Sequence, residues 1–432
     1  MLSAHELKQA VERYAGEYRD RVYPPLTTLA LFMAQALSQD GACQDAVARH
    51  LSERSARGIA PCSLSTGPYC KARQRLPIEL VTQLQHQVGR RIAQRLPTAW
   101  RWCGRSVKLL DGTTVSMPDT ASNQEVFPQN PGQKPGLGFP LARLVAVLCL
   151  GSGAVMDWAM GPYQGKGTGE QALFRTLLHC LDPGDVVLVD RYHCNYWTLV
   201  MLKQHGIDVL TRQHQLRRYD FRRGKRWGRG DHIVQWQRPN RPDWMDEPTY
   251  ATMPAELSVR EVKVGGRVLV TTLLDPCVAG PLELDRLYRQ RWQVELDLRS
   301  IKIEIGMDIL RCKTPEMVRK EVAVHLLAYT LVRAVMAQAA NLGGILARAL
   351  SFKGALQLLN AYHQQLRHST GARTGVMMSH LLGAVALLRL PVRPGRVEPH
   401  AIKRRPKQHW LLNVPRVVAR AALIAQRQCV LR

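Results

Sequence analysis

Tyr288, Arg291, Glu295 and Lys302 stand at offsets 0, 3, 7 and 14 along the stretch 288–302. On a helix turning about 100° per residue they fall within about 60° of one another. Leu287, Val294, Leu298, Ile301 and Ile305 make a neighbouring apolar stripe, centred roughly 70° further round, that suits packing on a sheet. The packed stripe would hold the helix still while its rim presents an acid, two cations and a phenol. That set suits phosphodiester chemistry, because a carboxylate can hold a divalent metal while Arg and Lys grip phosphate oxygens. Arg291 and Lys302 are expected about 16 Å apart along the axis, so they would grip different phosphates. Trp292 follows Arg291 by about 100° of helix turn, which suits either stacking on a base or packing. A helix with a solvated charged face has the same pattern.

Two other carboxylates are expected at the ends of strands. Asp111 closes the apolar run 107–111, and Asp190 closes the run 185–190. Runs this apolar read as buried central strands, and an Asp at such an end points into the crevice where α/β sheets place ligands. Asp111, Asp190 and Glu295 are therefore expected to converge as catalytic residues and metal ligands. The expected cofactor is Mg²⁺ or Mn²⁺, as two ions, since hard cations take oxygen ligands and leave positions open for water and phosphate.

Asp111-Gly-Thr, then Val-Asp190-Arg, then Tyr288-x2-Arg291-x3-Glu295-x6-Lys302 resemble, in that order, the DDE transposases of bacterial insertion sequences, in the family numbered four. Tyr69, Cys70, Ala72 and Arg73 are similar to that family's Tyr-Cys-x-Ala-Arg element, and 396–407 with 415–420 to its basic tail. Either short motif alone is weak; the full signature following both is specific. The resemblance implies cleavage at element ends and strand transfer into target DNA by a cut-and-paste route, through a DNA hairpin at the element's end. It implies DNA partners, both terminal inverted repeats and target, and a homodimer assembled on them. Arg291 and Lys302 would hold the strand, with Tyr288 orienting phosphate. Asp119, Asp157 and Glu170 could replace one of the three acids as metal ligands, but none combines a strand-end setting with the family motif. His193 reads as structural.

Composition agrees with a polyanionic partner. The chain has 60 Lys plus Arg against 34 Asp plus Glu, a net charge of +26, which attracts nucleic acid. Ribosomal and membrane-surface proteins can be as basic, yet 432 residues with 46% hydrophobic content can bury a large core in two or more domains. Ten cysteines with no Cys-x2-Cys pair read as reduced thiols of a cytoplasmic, nucleoid-associated protein. The apolar run 25–37 is too short to span a bilayer, so no membrane partner is expected.

The fold class expected is α/β, a ribonuclease H-like core interrupted by a β-rich insertion and flanked by helical regions. Residues 1–100 read as a helical DNA-binding region, with Tyr69, Lys71, Arg73 and Arg75 facing the duplex. From 101 to 212, three strands, a helix, a strand, a helix and a strand make the first part of the core. The insertion, 213–276, carries Arg222, Arg223, Lys225, Arg226 and Trp227, cations to track phosphates and a ring to stack on bases; a solvated loop is the plainer alternative. The second part, 277–345, holds the signature helix. Residues 346–432 read as further helices, with 356–366 a dimer contact or core, followed by the basic tail. A metal-dependent nuclease of the same fold and a non-catalytic basic DNA-binding protein remain open alternatives.

Overall fold

The computed structural model describes residues 2–18, 21–38, 40–391 and 412–430. The Lys403 to Lys407 cluster of the expected basic tail lies outside them, while 415–420 lead into a helix, Arg416–Val430. Helices fill the first hundred residues, from Ala4–Tyr14 to Ile78–Gln94. A single mixed sheet follows. Its strands are β1 (Val107–Ser116), β2 (Leu141–Cys149), β3 (Val155–Pro162), β4 (Val186–Leu188), β5 (Asp208–Arg212), β6 (Lys225–Gly228), β7 (Asp231–Gln237), β8 (Glu256–Val264) and β9 (Arg267–Thr271). Their spatial order is β3-β2-β1-β4-β5-β9-β8-β7-β6.

The three middle strands β1, β4 and β5 run parallel. Their apolar residues are buried on both faces, as parallel strands require. β2 and β3 form the antiparallel hairpin expected around 151–153; Gly153, at φ 77°, makes the turn in the left-handed region that glycine enters freely. Helices Glu170–Arg175 and Tyr196–Gln204 then carry the chain from β3 to β4 and from β4 to β5. This is the strand and helix order expected from the sequence, except for a short helix, Ala121–Val126, between β1 and β2. The insertion's strands do not stand apart from this sheet. β9 pairs antiparallel with β5, Leu210 opposite Thr271, so β6 to β9 prolong it.

One long helix, Pro315–Leu342, is buried along most of its length and packs on Ile78–Gln94, Pro25–Ala36 and Gly371–Leu387. It is the one helix among the described residues long and apolar enough to cross a membrane, but 83% of its apolar window is buried inside the protein. Core packing therefore explains its composition, each fully buried Leu, Val or Ile contributing about 1.5–3 kcal/mol.

The signature segment is not one regular helix. It runs as α-helix over Pro281–Arg289, tightens to a 3₁₀ turn at Gln290–Trp292, resumes as α-helix over Gln293–Arg299, and widens to a π-turn at Ser300–Glu304. The expected apolar stripe survives: Leu287, Val294, Leu298, Ile301 and Ile305 are all buried. Through it Gln293–Arg299 lies against β1.

Candidate active site

Asp111 does not end its strand. β1 continues to Ser116, paired with β2, but its pairing with β4 stops at Leu109 opposite Leu188. Extending that parallel register by two residues sets Asp111 beside Asp190, on strands about 4.8 Å apart. The crevice thus opens in mid-strand, where β4 ends and β1 runs on. Asp190 caps the turn Arg191–His193 by accepting the Tyr192 N–H at 3.0 Å. The Gly112 N–H donates to Asp111 Oδ1 at 2.8 Å. Burial pushes the Asp111 carboxyl up to about 6; the Gly112 N–H and Arg291 oppose this, while Glu170 and Asp190 add to it.

Arg291 joins the strand side to the helix side. Its Nη1 lies 3.8 Å from Asp111 Oδ2, and its Nη2 donates to Glu295 Oε1 at 2.7 Å. Tyr288 is buried beside Arg291 and Asp190, and burial raises its phenol above the ordinary value. Tyr288, Arg291, Glu295, Asp111 and Asp190 therefore share one region. Lys302 does not join them: its Nζ pairs with Asp308 at 3.0 Å. It stands in the π-turn Ser300–Glu304, where the backbone departs from the regular helix on which the row was drawn. Trp292 is 58% exposed, so core packing does not explain it.

What holds Glu295 in place went unseen in the sequence. Asp297, two residues on and 0% exposed, points to the opposite side of the helix. Arg333 Nη2 donates to its Oδ1 at 2.5 Å, Arg348 Nη1 grips both oxygens at 2.6 and 2.7 Å, and the Tyr329 hydroxyl donates at 3.0 Å. Arg348 also donates to the carbonyls of Leu150 and Cys149 at the end of β2. The signature helix is thereby tied to the long core helix and to the sheet. Spacing alone gave no signal, because Asp297 resembles any acid on a charged helix until Arg333 and Arg348 arrive from 36 and 51 residues away.

Glu170 is also at the site. A Cβ placed on Gly112 would lie 2.9 Å from the Glu170 carboxyl carbon, so that side chain sits directly over the backbone next to Asp111. His193 Nε2 meets Glu170 Oε1 at 3.3 Å.

The N-terminal expectation requires correction at two residues. Tyr69 and Arg73 are buried and cannot face a duplex. The Tyr69 hydroxyl donates to Gln35 Oε1 at 2.8 Å; Arg73 donates to Gln35 and to the sulfurs of Cys43 and Cys312, and lies over the Phe32 ring. They sit on the inward face of the helix Gly67–Arg75, whereas Lys71 and Arg75, on the other face, are exposed and line a cleft of 1020 Å³ with Tyr18 and Arg21. In the insertion, Arg222, Arg223, Lys225, Arg226 and Trp227 are exposed on and before β6. Arg222 pairs with Asp220 at 2.9 Å, and Lys225 lies over the Trp227 ring.

The donor set suits a divalent cation. Asp111, Asp190, Glu170 and Glu295 are hard oxygen donors, with the Arg291 guanidinium between Asp111 and Glu295 and an imidazole on Glu170. Among the described residues, no three His, Cys, Asp or Glu side chains stand close enough together to hold an ion as they lie. Ligation requires Glu295 to turn away from Arg291, which its partly exposed side chain permits.

A mixed α/β sheet with carboxylates gathered at the edge of its parallel strands defines a class of site, and comparison supplies the family. The profile of the transposase DDE domain matches residues 102–331, more than half of the chain. The chain belongs to that family and is a DNA transposase, an enzyme acting on DNA. It is 28% identical over 354 residues to the transposase InsG for insertion sequence element IS4 of Escherichia coli (strain K12), covering 78% of this chain and 76% of that protein. The structure of a piggyBac transposase synaptic complex with hairpin DNA aligns over 91% of this chain and 83% of its own, at 9% identity and a TM-score of 0.42.

Proposed function

We propose that this transposase cuts DNA at the ends of an insertion sequence and joins the freed ends to target DNA, with Asp111, Asp190 and Glu295 as the metal-holding catalytic residues. The observation that carries this reading is the convergence of Asp111, Asp190 and the Arg291–Glu295 pair where β4 ends beside β1. The strand order β3-β2-β1-β4-β5, with helices after β3 and β4, supports a ribonuclease H-like core. In this division 101–212 and 277–345 form the core, 213–276 the insertion, and 1–100 and 346–432 the flanking regions.

Two divalent ions, Mg²⁺ or Mn²⁺, bound by these carboxylates supply Lewis acidity and charge neutralisation for displacement at phosphorus. The residues around them do the positioning. Arg291 has two donors to offer a phosphate once its hold on Glu295 is released. The Tyr288 phenol, kept protonated by burial, donates a hydrogen bond rather than serving as a nucleophile. Asp297 keeps Glu295 facing the crevice. Trp292, with an exposed ring, can stack on a base displaced from the duplex, a step that costs a few kcal/mol of unstacking. Lys302 would contact a phosphate outside the acid cluster after leaving Asp308. The exposed cations of the insertion and of the helix Gly67–Arg75 would track the DNA backbone.

This reading expects the terminal inverted repeats and the target DNA as partners, a homodimer on the paired ends, a cut-and-paste route through a hairpin, and a nucleoid-associated place in the cytoplasm. Incubation of the protein with tagged element ends, target DNA and Mg²⁺ tests it. Nicked, hairpin and joined products are expected, and none in excess EDTA. Cut ends without joining would assign a nuclease instead; binding without any cut would assign a non-catalytic DNA-binding protein.

A further inference from the structure

We infer that Glu170 is a fourth carboxylate of the catalytic centre, supplying oxygen to the same divalent ion as Asp111, and that His193 is the positioning residue that fixes it. The inference rests on the metal reading above and goes beyond the three acids named there.

Three observations carry it. First, the Glu170 carboxylate lies against Gly112, its Oε2 3.1 Å from where a Cβ would stand. A Cβ at 112 would require that carboxylate to shift from where it lies, so the glycine after Asp111 leaves room for it there. Gly112 is not among the glycines of positive φ, so backbone conformation is not that reason. Second, His193 is 1% exposed, wedged edge-on between Phe174 and Tyr192, with Nε2 on Glu170 Oε1. Its Nδ1 is buried without a hydrogen-bond partner, so Nε2 carries the proton and donates it to the carboxylate. Third, the turn Arg191–His193 begins at Asp190, so a single turn orients two acids, Asp190 directly and Glu170 through His193. Among the described residues His193 is the sole ion-pair partner of Glu170. An acid laid over the backbone next to Asp111, with an imidazole rather than an arginine on its Oε1, has Oε2 left among the described residues to offer a cation.

Mn²⁺ binding read by electron paramagnetic resonance tests the inference without requiring turnover. The full chain is titrated with Mn²⁺ in the presence of a duplex oligonucleotide, the signal with duplex alone is subtracted, and melting is recorded alongside. Glu170→Gln is expected to weaken Mn²⁺ at least tenfold with an unchanged melting temperature, and Glu170→Asp to recover part of the loss. Gly112→Ala, which pushes a methyl into the carboxylate, should weaken Mn²⁺ similarly and add little on top of Glu170→Gln. His193→Gln should weaken it several-fold, and not at all once Glu170 is Gln. Wild-type affinity in Glu170→Gln, with affinity lost in Asp111→Asn, would overturn the inference and leave the three-acid reading intact. Loss of affinity in both Glu170 variants only in step with a lower melting temperature would make Glu170 structural and overturn it equally. If Asp111→Asn binds Mn²⁺ as the wild type does, the metal reading falls and this inference with it.

Discussion

Glu295 and Asp297 lie two residues apart on one short helix, and each is gripped by arginine, yet their surroundings are opposites. Around Asp297 two guanidiniums and a phenol close on one fully buried carboxylate, and every oxygen is used. Around Glu295 a single guanidinium is shared with Asp111, while Asp190 and Glu170 add further negative charge nearby. The closed cluster has cations to spare and needs nothing from outside. The open one has an excess of anions in a half-buried crevice, and burial together with those anions raises the cost of keeping Asp111 charged until a cation arrives. Charge balance thus separates an anchor from the proposed reactive centre on the same helix, where residue type does not.

The sharpest way to break this contrast is to open the closed cluster. Asp297→Ala leaves Arg333 and Arg348 buried without their counter-charge, and a loss of about 3–5 kcal/mol in chemical denaturation is expected. If Asp297→Ala melts like the wild type, Asp297 is no anchor. Arg73 is a second closed case. Arg73→Ala removes a buried side chain together with its hydrogen bonds to Gln35, Cys43 and Cys312, so about 2–4 kcal/mol of stability should be lost. Its salt dependence of DNA binding should not change; a flatter salt slope in Arg73→Ala would return that residue to the DNA interface.

The insertion is the exposed counterpart, four cations of which two, Arg222 and Arg223, share a single acid, Asp220. Replacing Arg222, Arg223, Lys225 and Arg226 together by Ala should leave the melt unchanged. The slope of log K against log salt should shrink by up to about 3.6, at 0.9 per phosphate contact on duplex DNA. An unchanged slope places the duplex elsewhere on the protein. Trp292→Ala is the smallest change expected: no loss of stability, and about 1–3 kcal/mol less binding to DNA with an unpaired base at the cleavage point. A lower melting temperature with intact binding would mean that the ring packs instead.

Local pattern carried much of this into view before any coordinates. The apolar runs at 107–111 and 185–190 announced buried central strands, and the stripe from Leu287 to Ile305 announced the packed side of the signature helix. What escaped depends on distant partners or on departures from ideal geometry. Asp297 needs Arg333 and Arg348 to declare itself. Glu170 is one of three alternative acids in the sequence, and what singles it out, its place on Gly112, comes only with the fold. Lys302 keeps its place in the sequence spacing, but it stands in the π-turn Ser300–Glu304 and pairs with Asp308, which a regular helix would not announce. Tyr69 and Arg73 have the composition of a DNA-binding face; which side of a nine-residue helix turns inward is decided by what packs on it, here Gln35, Cys43 and Phe32.

The central claim is that the open carboxylate cluster, and not the basic surface, makes this chain an enzyme. Its most direct test is Mg²⁺-dependent nicking of element-end DNA by Asp111→Asn, Asp190→Asn and Glu295→Gln, with end binding and melting measured on the same preparations. Each variant is predicted to bind and melt like the wild type and to give no nicked product above background. Normal nicking by any one of them would remove that acid from the centre, and normal nicking by all three would contradict the account.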